Sequence, residues 1–252
     1  MKIYYILIIT LCIIIFFYIY INKNICSVEP ESYLYDSVVP GPYITIVGTT
    51  HGNEQVGYYA IKQLIDRLNS KKIILLKGKL GLIPIVNYCG FRMNTRNGLF
   101  FYDINRNYLP DTSCTINKKV IEFTKDSEFT LDFHEGWGYH TTSTSIGSTI
   151  TPSITTISNE VAVKMKNNVN NTITDNMKQF IIRTNDAELL KDTTNYKEKT
   201  SIDGSLSSYM ETLNKNYVLI EITGQNQIQP MDLRVKQAMI FIETTLSYYN
   251  MI

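Results

Sequence analysis

The pair His51 and Glu54 offers the clearest chemistry in the chain. The two residues lie between a strongly apolar, β-like run (residues 43–47) and a helical pattern that begins at residue 55. A zinc ion in a hydrolase usually takes three protein ligands from histidines and carboxylates, which leaves a fourth position for a water molecule. His51 and Glu54 are therefore predicted to be two of three zinc ligands. The alternative interpretation is a polar turn that caps a helix, because threonine and asparagine residues surround the pair.

The best candidate for the third ligand is His134. It follows Leu131-Asp132-Phe133, a second apolar run that ends in a carboxylate, this histidine and Glu135-Gly136. The chain has three histidines, and two of them fall at the ends of predicted strands. In open α/β sheets, ligands bind outside the carboxyl ends of the strands, where both segments would place their side chains. The sequence therefore predicts one zinc ion per chain, bound by His51, Glu54 and His134.

Five short motifs, in order along the chain, resemble those of the zinc carboxypeptidase superfamily. They are Gly48-Thr49-Thr50-His51-Gly52-Asn53-Glu54, Asn87-x-x-Gly90, Asp103-Ile104-Asn105-Arg106-Asn107, Asp132-Phe133-His134 and Ile220-Glu221-Ile222-Thr223-Gly224. The most similar branch is the succinylglutamate desuccinylase and aspartoacylase family. Five ordered motifs are much more specific than a single His-x-x-Glu pair.

The resemblance implies that three residues of the segment 92–106, which is rich in arginine, contact the substrate. Asn105 and Arg106 would hold the carboxylate of the substrate, since the planar fork of arginine binds a carboxylate through two hydrogen bonds. Arg96, which we favour over Arg92, would polarise the scissile carbonyl group. Without the resemblance, this segment would be interpreted as a solvated loop.

Two further carboxylates complete the implied site. Asp103 would hydrogen-bond to His51 and orient its ring, as outer carboxylates generally do at zinc sites. Glu221 would act as the general base that takes a proton from water and returns it to the leaving amine. The alternative for Glu221 is a residue that faces water at the edge of a sheet.

The chain departs from the family pattern at two places. Carboxypeptidases carry a tyrosine that closes over the substrate, but neither Tyr196 nor Tyr209 lies in a convincing match. The segment after the third ligand also differs from the usual aspartoacylase sequence. Its residues Glu135, Trp137 and His140 would either line a distinct specificity pocket or have ordinary packing and surface roles.

The elements that would position these residues alternate along the chain. Predicted strands cover residues 43–47, 129–133, 180–183 and 217–222, and residues 73–86 form one or two more. Predicted helices cover residues 55–68, 159–169 and 231–248. This alternation predicts an α/β fold, with a mixed, mainly parallel sheet and helices on both faces.

The N-terminal segment is a separate unit in this interpretation. Residues 4–21 contain no charge and no proline, and a helix of that length spans about 27 Å, close to the hydrocarbon core of a bilayer. We therefore predict a membrane anchor (1–21), a proline-containing linker (22–42) and a catalytic domain (43–252). A cleaved signal peptide is the alternative, although no small-residue cleavage site follows. The flanking charges weakly favour a catalytic domain on the non-cytosolic side of the membrane.

Composition bounds the remaining possibilities. The 252 residues suffice for one sizeable domain, and 44% of them are hydrophobic. The balance of 24 basic and 23 acidic residues argues against nucleic acid as a main partner.

Together these features predict a membrane-anchored zinc hydrolase that cleaves an amide bond next to a carboxylate, of the N-acyl-amino-acid deacylase type. Its substrate would be a small N-acyl amino acid or a peptide. One alternative is a metallocarboxypeptidase that acts on peptides. Another is a binding protein without activity on the same fold, but retention of all the candidate ligands and the base argues against it.

Overall fold

A computed structural model of the protein describes residues 2–26, 29–98, 102–112, 114–183 and 203–252. The strands in these ranges are β1 (Glu31–Asp36), β2 (Tyr43–Gly48), β3 (Lys79–Ile85), β4 (Phe129–Gly136), β5 (Thr149–Pro152), β6 (Ile181–Ile182) and β7 (Asn216–Thr223). They form one sheet in the order β1-β3-β2-β4-β7-β5-β6.

The centre of this sheet is parallel. Strands β3, β2, β4 and β7 pair in parallel, so that their carboxyl ends meet at one edge. The outer strands β1 and β5 run antiparallel to their neighbours β3 and β7, and β6 is parallel to β5. The predicted mixed, mainly parallel sheet is confirmed.

Helices cover both faces of the sheet, as predicted. The helices in the described ranges are α1 (Lys2–Cys26), α2 (Val56–Asn69), α3 (Tyr88–Met93), α4 (Thr115–Thr124), α5 (Thr156–Asn170), α6 (Leu206–Thr212) and α7 (Met231–Tyr248). On one face, α2, α5 and α7 pack on a larger core that includes Ile46, Phe133 and Ile222. On the other face, α4 and α6 pack on a smaller core that includes Val47 and Tyr217.

The alternation of side chains along β4 and β7 decides which residues reach the site. All eight residues of β4 are buried, and Leu131 and Phe133 belong to the larger core. Successive side chains of a strand point to opposite faces. His134 therefore points to the face of the smaller core, and so does Glu221, its direct partner on β7. His134 on β4 and Glu221 on β7 therefore lie at the same edge of the sheet and on the same face.

Most predicted elements are present, with shifts of a few residues. The region 73–86 contributes one strand, β3, because its first part pairs elsewhere: the backbone N–H of Leu76 donates to the carbonyl oxygen of Met251 at 2.8 Å. Helices α3, α4 and α6 and strands β1 and β5 were not predicted.

The predicted linker needs a correction. Residues 22–42 include β1, an edge strand whose Tyr33 and Tyr35 pack against the larger core. Leu34, between them, is 57% exposed, so the strand alternates between core and solvent. The prolines on either side obscure this short period-two pattern. The folded domain therefore begins before residue 43.

The predicted membrane anchor has no support from the structure. The apolar run of residues 4–21 lies in α1. In the part of the chain that the structure describes, no helix has the length and hydropathy needed to cross a membrane. The location of the protein in the cell stays a prediction from the sequence.

Candidate metal centre

Three buried side chains meet at the carboxyl ends of β2 and β4. His51 Nδ1 lies 2.9 Å from Glu54 Oε1. His134 Nδ1 lies 2.9 Å from Glu54 Oε2 and 3.0 Å from His51 Nδ1. None of the three side chains is more than 4% exposed. The structure therefore brings together the three residues that the sequence predicts as zinc ligands.

The loop from β2 to α2 places His51 and Glu54 through a close approach of two backbones. Between them lies Gly52, where a Cβ atom would be 1.9 Å from the carbonyl carbon of Gly90. The N–H of Gly52 also donates to the carbonyl oxygen of Arg96 at 3.0 Å. Only glycine allows this approach, so Gly52 fixes the ligand loop against the loop that carries Arg96.

The donor atoms fit a divalent cation such as zinc. Zinc bonds of about 2.0–2.1 Å in a tetrahedral arrangement place neighbouring donor atoms roughly 3.3 Å apart. The two histidine Nδ1 atoms lie 3.0 Å apart, and each lies 2.9 Å from a different oxygen of Glu54, so modest outward shifts of these side chains would accommodate the ion. Two imidazole nitrogens and one carboxylate oxygen are also a usual donor set for catalytic zinc.

Both histidines are backed by a carboxylate on the far side of the ring. His51 Nε2 lies 3.1 Å from Asp103 Oδ1, as predicted for this pair. His134 Nε2 lies 3.4 Å from Asp132 Oδ2, which also accepts a hydrogen bond of 2.8 Å from the hydroxyl of Tyr217. These contacts turn Nδ1 of each ring towards the centre. Asp132 was not assigned a role from the sequence, although it lies two residues before His134 and therefore on the same face of β4.

Arg96 lies beside the candidate ligands. Its Nε and Nη2 atoms donate to Asp103 Oδ2 at 3.1 and 2.7 Å, and its Nη1 lies 3.3 Å from Glu54 Oε1. The side chain is 45% exposed, so the guanidinium borders both the centre and solvent. Arg92 belongs to α3 and is exposed. The geometry therefore favours Arg96 as the arginine of the site.

Asn105 and Arg106 occupy the 3-10 turn that follows Asp103. The Asn105 side chain accepts a hydrogen bond of 3.0 Å from the N–H of Leu206, at the start of α6. Arg106 is exposed, and its Nη1 donates to the carbonyl oxygen of Asn105 at 2.7 Å. Both residues follow Asp103 directly in the chain. Their hydrogen bonds are with the turn itself and with α6, not with the candidate metal ligands.

Glu221 lies next to the centre in the sheet. Its direct partner on β4 is His134, and it is 7% exposed. Burial raises the pKa of Glu221 to about 8, with nearby Glu54 and Asp132 adding to the rise and His134 opposing it. A carboxyl group with its pKa near neutrality is suited to exchange protons with a reacting group.

The pKa of the candidate ligand Glu54 is shifted in the opposite direction, downwards. Burial alone would raise its pKa, but ionic and hydrogen-bond contacts with His51 and His134 lower it well below the ordinary value. The pKa of Asp103 is also lowered, because contacts with His51 and Arg96 outweigh its partial burial. Both groups are therefore anions throughout the neutral range, as a metal ligand and its supporting carboxylate must be.

Residues 40–246 match the catalytic domain of the succinylglutamate desuccinylase/aspartoacylase family. The chain belongs to this family. The resemblance drawn from the five motifs is thereby confirmed, and the matched region contains every residue of the candidate metal centre. A comparison with curated proteins gives no significant match.

Solved structures similar to this family member share its fold. Tripeptide-bound Csd4, a cell shape determinant protein from Helicobacter pylori, has a TM-score of 0.70 and 15% identity, covering 89% of this chain and 56% of that one. A succinylglutamate desuccinylase/aspartoacylase from Rhodobacter sphaeroides has a TM-score of 0.62 and 18% identity, covering 89% of this chain and 60% of that one. The chain therefore spans less than two thirds of either protein.

The segment that departs from the usual aspartoacylase sequence divides into separate environments. Glu135 points to the larger-core face and forms a buried ion pair with Arg234 of α7. Trp137 is 48% exposed, and His140 Nε2 lies 3.2 Å from the carbonyl oxygen of Gln179. Only Glu135 thus joins a buried polar network, and no signal in the sequence linked it to Arg234, which is 99 residues away.

The structure supports neither Tyr196 nor Tyr209 as the tyrosine that closes over the substrate. Tyr209 lies in α6 and packs against the smaller core, which gives it a structural role in this state. Tyr196 lies outside the described residues. The family position of this tyrosine therefore has no assigned residue.

Proposed function

We propose that the protein is a zinc-dependent hydrolase that cleaves an amide bond adjacent to a carboxylate, of the N-acyl-amino-acid deacylase type. The observation that carries the proposal is the convergence of His51, Glu54 and His134 beside a buried carboxyl group of raised pKa. The two histidine Nδ1 atoms lie 3.0 Å apart, and each lies 2.9 Å from one oxygen of Glu54. Membership of the family supports the same class of reaction.

A zinc ion at this centre would supply Lewis acidity, lowering the pKa of the attacking water to about 7 and polarising the scissile carbonyl. The chain's own residues supply the rest. Glu221 takes the proton of the attacking water and passes it to the leaving amine. Burial raises the pKa of Glu221 in the metal-free protein, and a cation at the centre would lower it into the range where the ionised form accepts a proton at neutral pH.

Arg96 acts on the carbonyl group of the substrate. Its guanidinium is held by two hydrogen bonds to Asp103 and keeps one side open to solvent. A cation fixed in this way stabilises the negative charge that develops on the carbonyl oxygen in the transition state. Arg106, exposed on the neighbouring turn, is available to bind the substrate carboxylate together with Asn105.

A second candidate function is a carboxypeptidase that acts on peptides. It is favoured by the fold similarity to Csd4, which has been solved with a bound tripeptide and is described as a D,L-carboxypeptidase. Both functions require an amide bond next to a free carboxylate, and they differ in what lies on the other side of that bond. The substrate, rather than the reaction, separates them.

The test uses matched substrates. The purified full-length protein, loaded with zinc, is assayed against N-acyl amino acids, dipeptides and tripeptides, each with a free and with an amidated C-terminus. We expect hydrolysis of the free-acid forms only, and loss of activity after treatment with a chelator. Equal rates on the amidated forms would contradict the proposed carboxylate requirement, and no hydrolysis of any compound would contradict the proposed reaction class.

A further inference from the structure

The ligand Glu54 is held by donors that are not themselves candidate metal ligands. Its Oε2 accepts a hydrogen bond of 3.1 Å from the backbone N–H of Glu135. Its Oε1 is approached by Arg96 Nη1 at 3.3 Å and by Gln225 Nε2 at 3.1 Å. Three separate segments of the chain therefore converge on one carboxylate.

These three contacts are not equivalent. The Glu135 contact comes from the backbone of β4 and survives any substitution except proline. Arg96 is 45% exposed, is bonded to Asp103 and has a proposed role with the substrate. Gln225 is the remaining side-chain donor, and the proposed reaction makes no other use of it. It lies in the loop that follows β7, four residues after Glu221.

Gln225 is itself oriented at both ends of its carboxamide. Its Oε1 accepts a hydrogen bond of 3.3 Å from Asn53 Nδ2, and its Nε2 also donates to the carbonyl oxygen of Glu135. Exchanging the oxygen and nitrogen would turn an acceptor towards two other acceptors and a donor towards a donor. The hydrogen-bond network therefore allows one orientation, with Nε2 facing Glu54.

The backbone around Gln225 is shaped for this contact. A Cβ atom on Gly224 would lie 2.0 Å from Glu135 Oε1 and 2.5 Å from Arg234 Cδ, so a side chain here would displace the buried ion pair. Glu135 Oε2 accepts the N–H of Val56 at 3.2 Å, at the first residue of α2. The ion pair thus connects α7, the loop that carries Gln225 and the helix that begins just after Glu54.

We propose that Gln225 is a positioning residue for the metal ligand Glu54. This inference rests on the proposed zinc centre. Gln225 holds the Glu54 carboxylate in its binding orientation when Arg96 engages a substrate, and the Glu135–Arg234 pair keeps the Gln225 loop in place. Outer contacts of this kind typically account for about 10–100-fold in metal affinity.

The test compares the same substitution at two positions of one loop. Gln225→Met keeps the length of the side chain and removes the donor, and Gln227→Met makes the same change at an exposed residue. Zinc affinity is measured by competition with a chromogenic chelator, and the unfolding temperature of each metal-free protein is measured in parallel. We expect zinc affinity to fall about 10–100-fold in Gln225→Met alone, with similar unfolding temperatures for the three metal-free proteins.

Other outcomes would overturn the inference. Unchanged zinc affinity in Gln225→Met, or an equal loss in Gln227→Met, would show that Gln225 does not position Glu54. If Gln225→Met does not fold, Asn53→Ala replaces it, because it removes the donor that orients Gln225; a smaller loss of zinc affinity is then expected, and no loss would overturn the inference. Failure of the wild-type protein to bind zinc would instead overturn the proposed metal centre on which the inference rests.

Discussion

Glu54 and Glu221 are two buried carboxyl groups at the same edge of the sheet, but their surroundings separate their ionisation. Glu54 is met by imidazole, guanidinium, carboxamide and backbone donors, and its pKa is lowered. For Glu221, burial dominates and neighbouring anions add to it, so that its pKa rises to about 8. The donors around a buried carboxyl group, rather than burial itself, thus divide a ligand from a base.

The sharpest test of this comparison concerns the ligand side. Glu54→Gln keeps the shape of the side chain but removes the charge that binds the cation, and His134→Ala removes a ligand altogether. We expect metal analysis to find about one zinc ion per chain in the wild type and almost none in either variant, with activity lost accordingly. Zinc content equal to that of the wild type in His134→Ala would show that the three residues are not the ligand set.

The same isosteric substitution at the other carboxyl group should behave differently. Glu221→Gln cannot accept a proton, and general-base catalysis contributes about 10²–10⁴-fold. We expect turnover to fall by that order, while zinc content and KM stay close to the wild-type values. Near wild-type turnover on a substrate that the protein hydrolyses would contradict the assignment of Glu221 as the base, even with the metal site intact.

The residues of the metal centre show how much of the site the sequence could predict. His51, Glu54 and His134 were predictable because short motifs coincide with the ends of apolar strands, and parallel strands bring such ends together. Asp132 lies two residues before His134 in one of the same motifs, so strand alternation could have indicated their contact. Its hydrogen bond from Tyr217, 85 residues away, could not have been read from the sequence. The distance between a residue and its partner in space is not encoded in local spacing.

The unpredicted elements have a similar explanation. Helix α4 is rich in threonine, isoleucine and valine, which are weak helix formers, so its helical signal is faint. It is stabilised instead by packing of Ile116 and Val120 in the smaller core. Gln225 was missed for a different reason, because Glu54, the carboxylate to which it donates, lies 171 residues away in the sequence.

A third prediction extends the comparison from the centre to the turn beside it. Arg106→Ala removes a partner of the substrate carboxylate but leaves both Glu54 and Glu221 untouched. Hydrogen bonds to charged groups contribute about 1.5–3 kcal/mol, so we expect KM for free-acid substrates to rise about 10–100-fold with zinc content unchanged. Kinetics with the amidated substrate provide the control, since that compound lacks the carboxylate. An unchanged KM would move the carboxylate-binding role to another residue.

The smallest expected effect concerns stability and follows from the sign of the Glu221 shift. The folded-state pKa of about 8 lies above the unfolded value of about 4.5. The associated stability is therefore fully present below about pH 4.5 and is lost as the pH rises to about 8, since the unfolded state ionises first. Glu221→Gln has no proton to lose. We expect the unfolding temperature of the metal-free wild type to fall more than that of the variant between about pH 5 and 9.

Comparison with Glu221→Gln also distinguishes the contribution of Glu221 to the pH dependence of stability from the contributions of its neighbours. The pKa of His134 is raised by Asp132 and Glu54 despite its burial, so it too loses stability as the pH rises, but it does so in both proteins. Zinc should reduce the difference between them, because a nearby cation lowers the pKa of Glu221. Identical pH profiles of the metal-free wild type and Glu221→Gln would mean that Glu221 is ionised at neutral pH like Glu54, and the contrast between the two carboxyl groups would disappear.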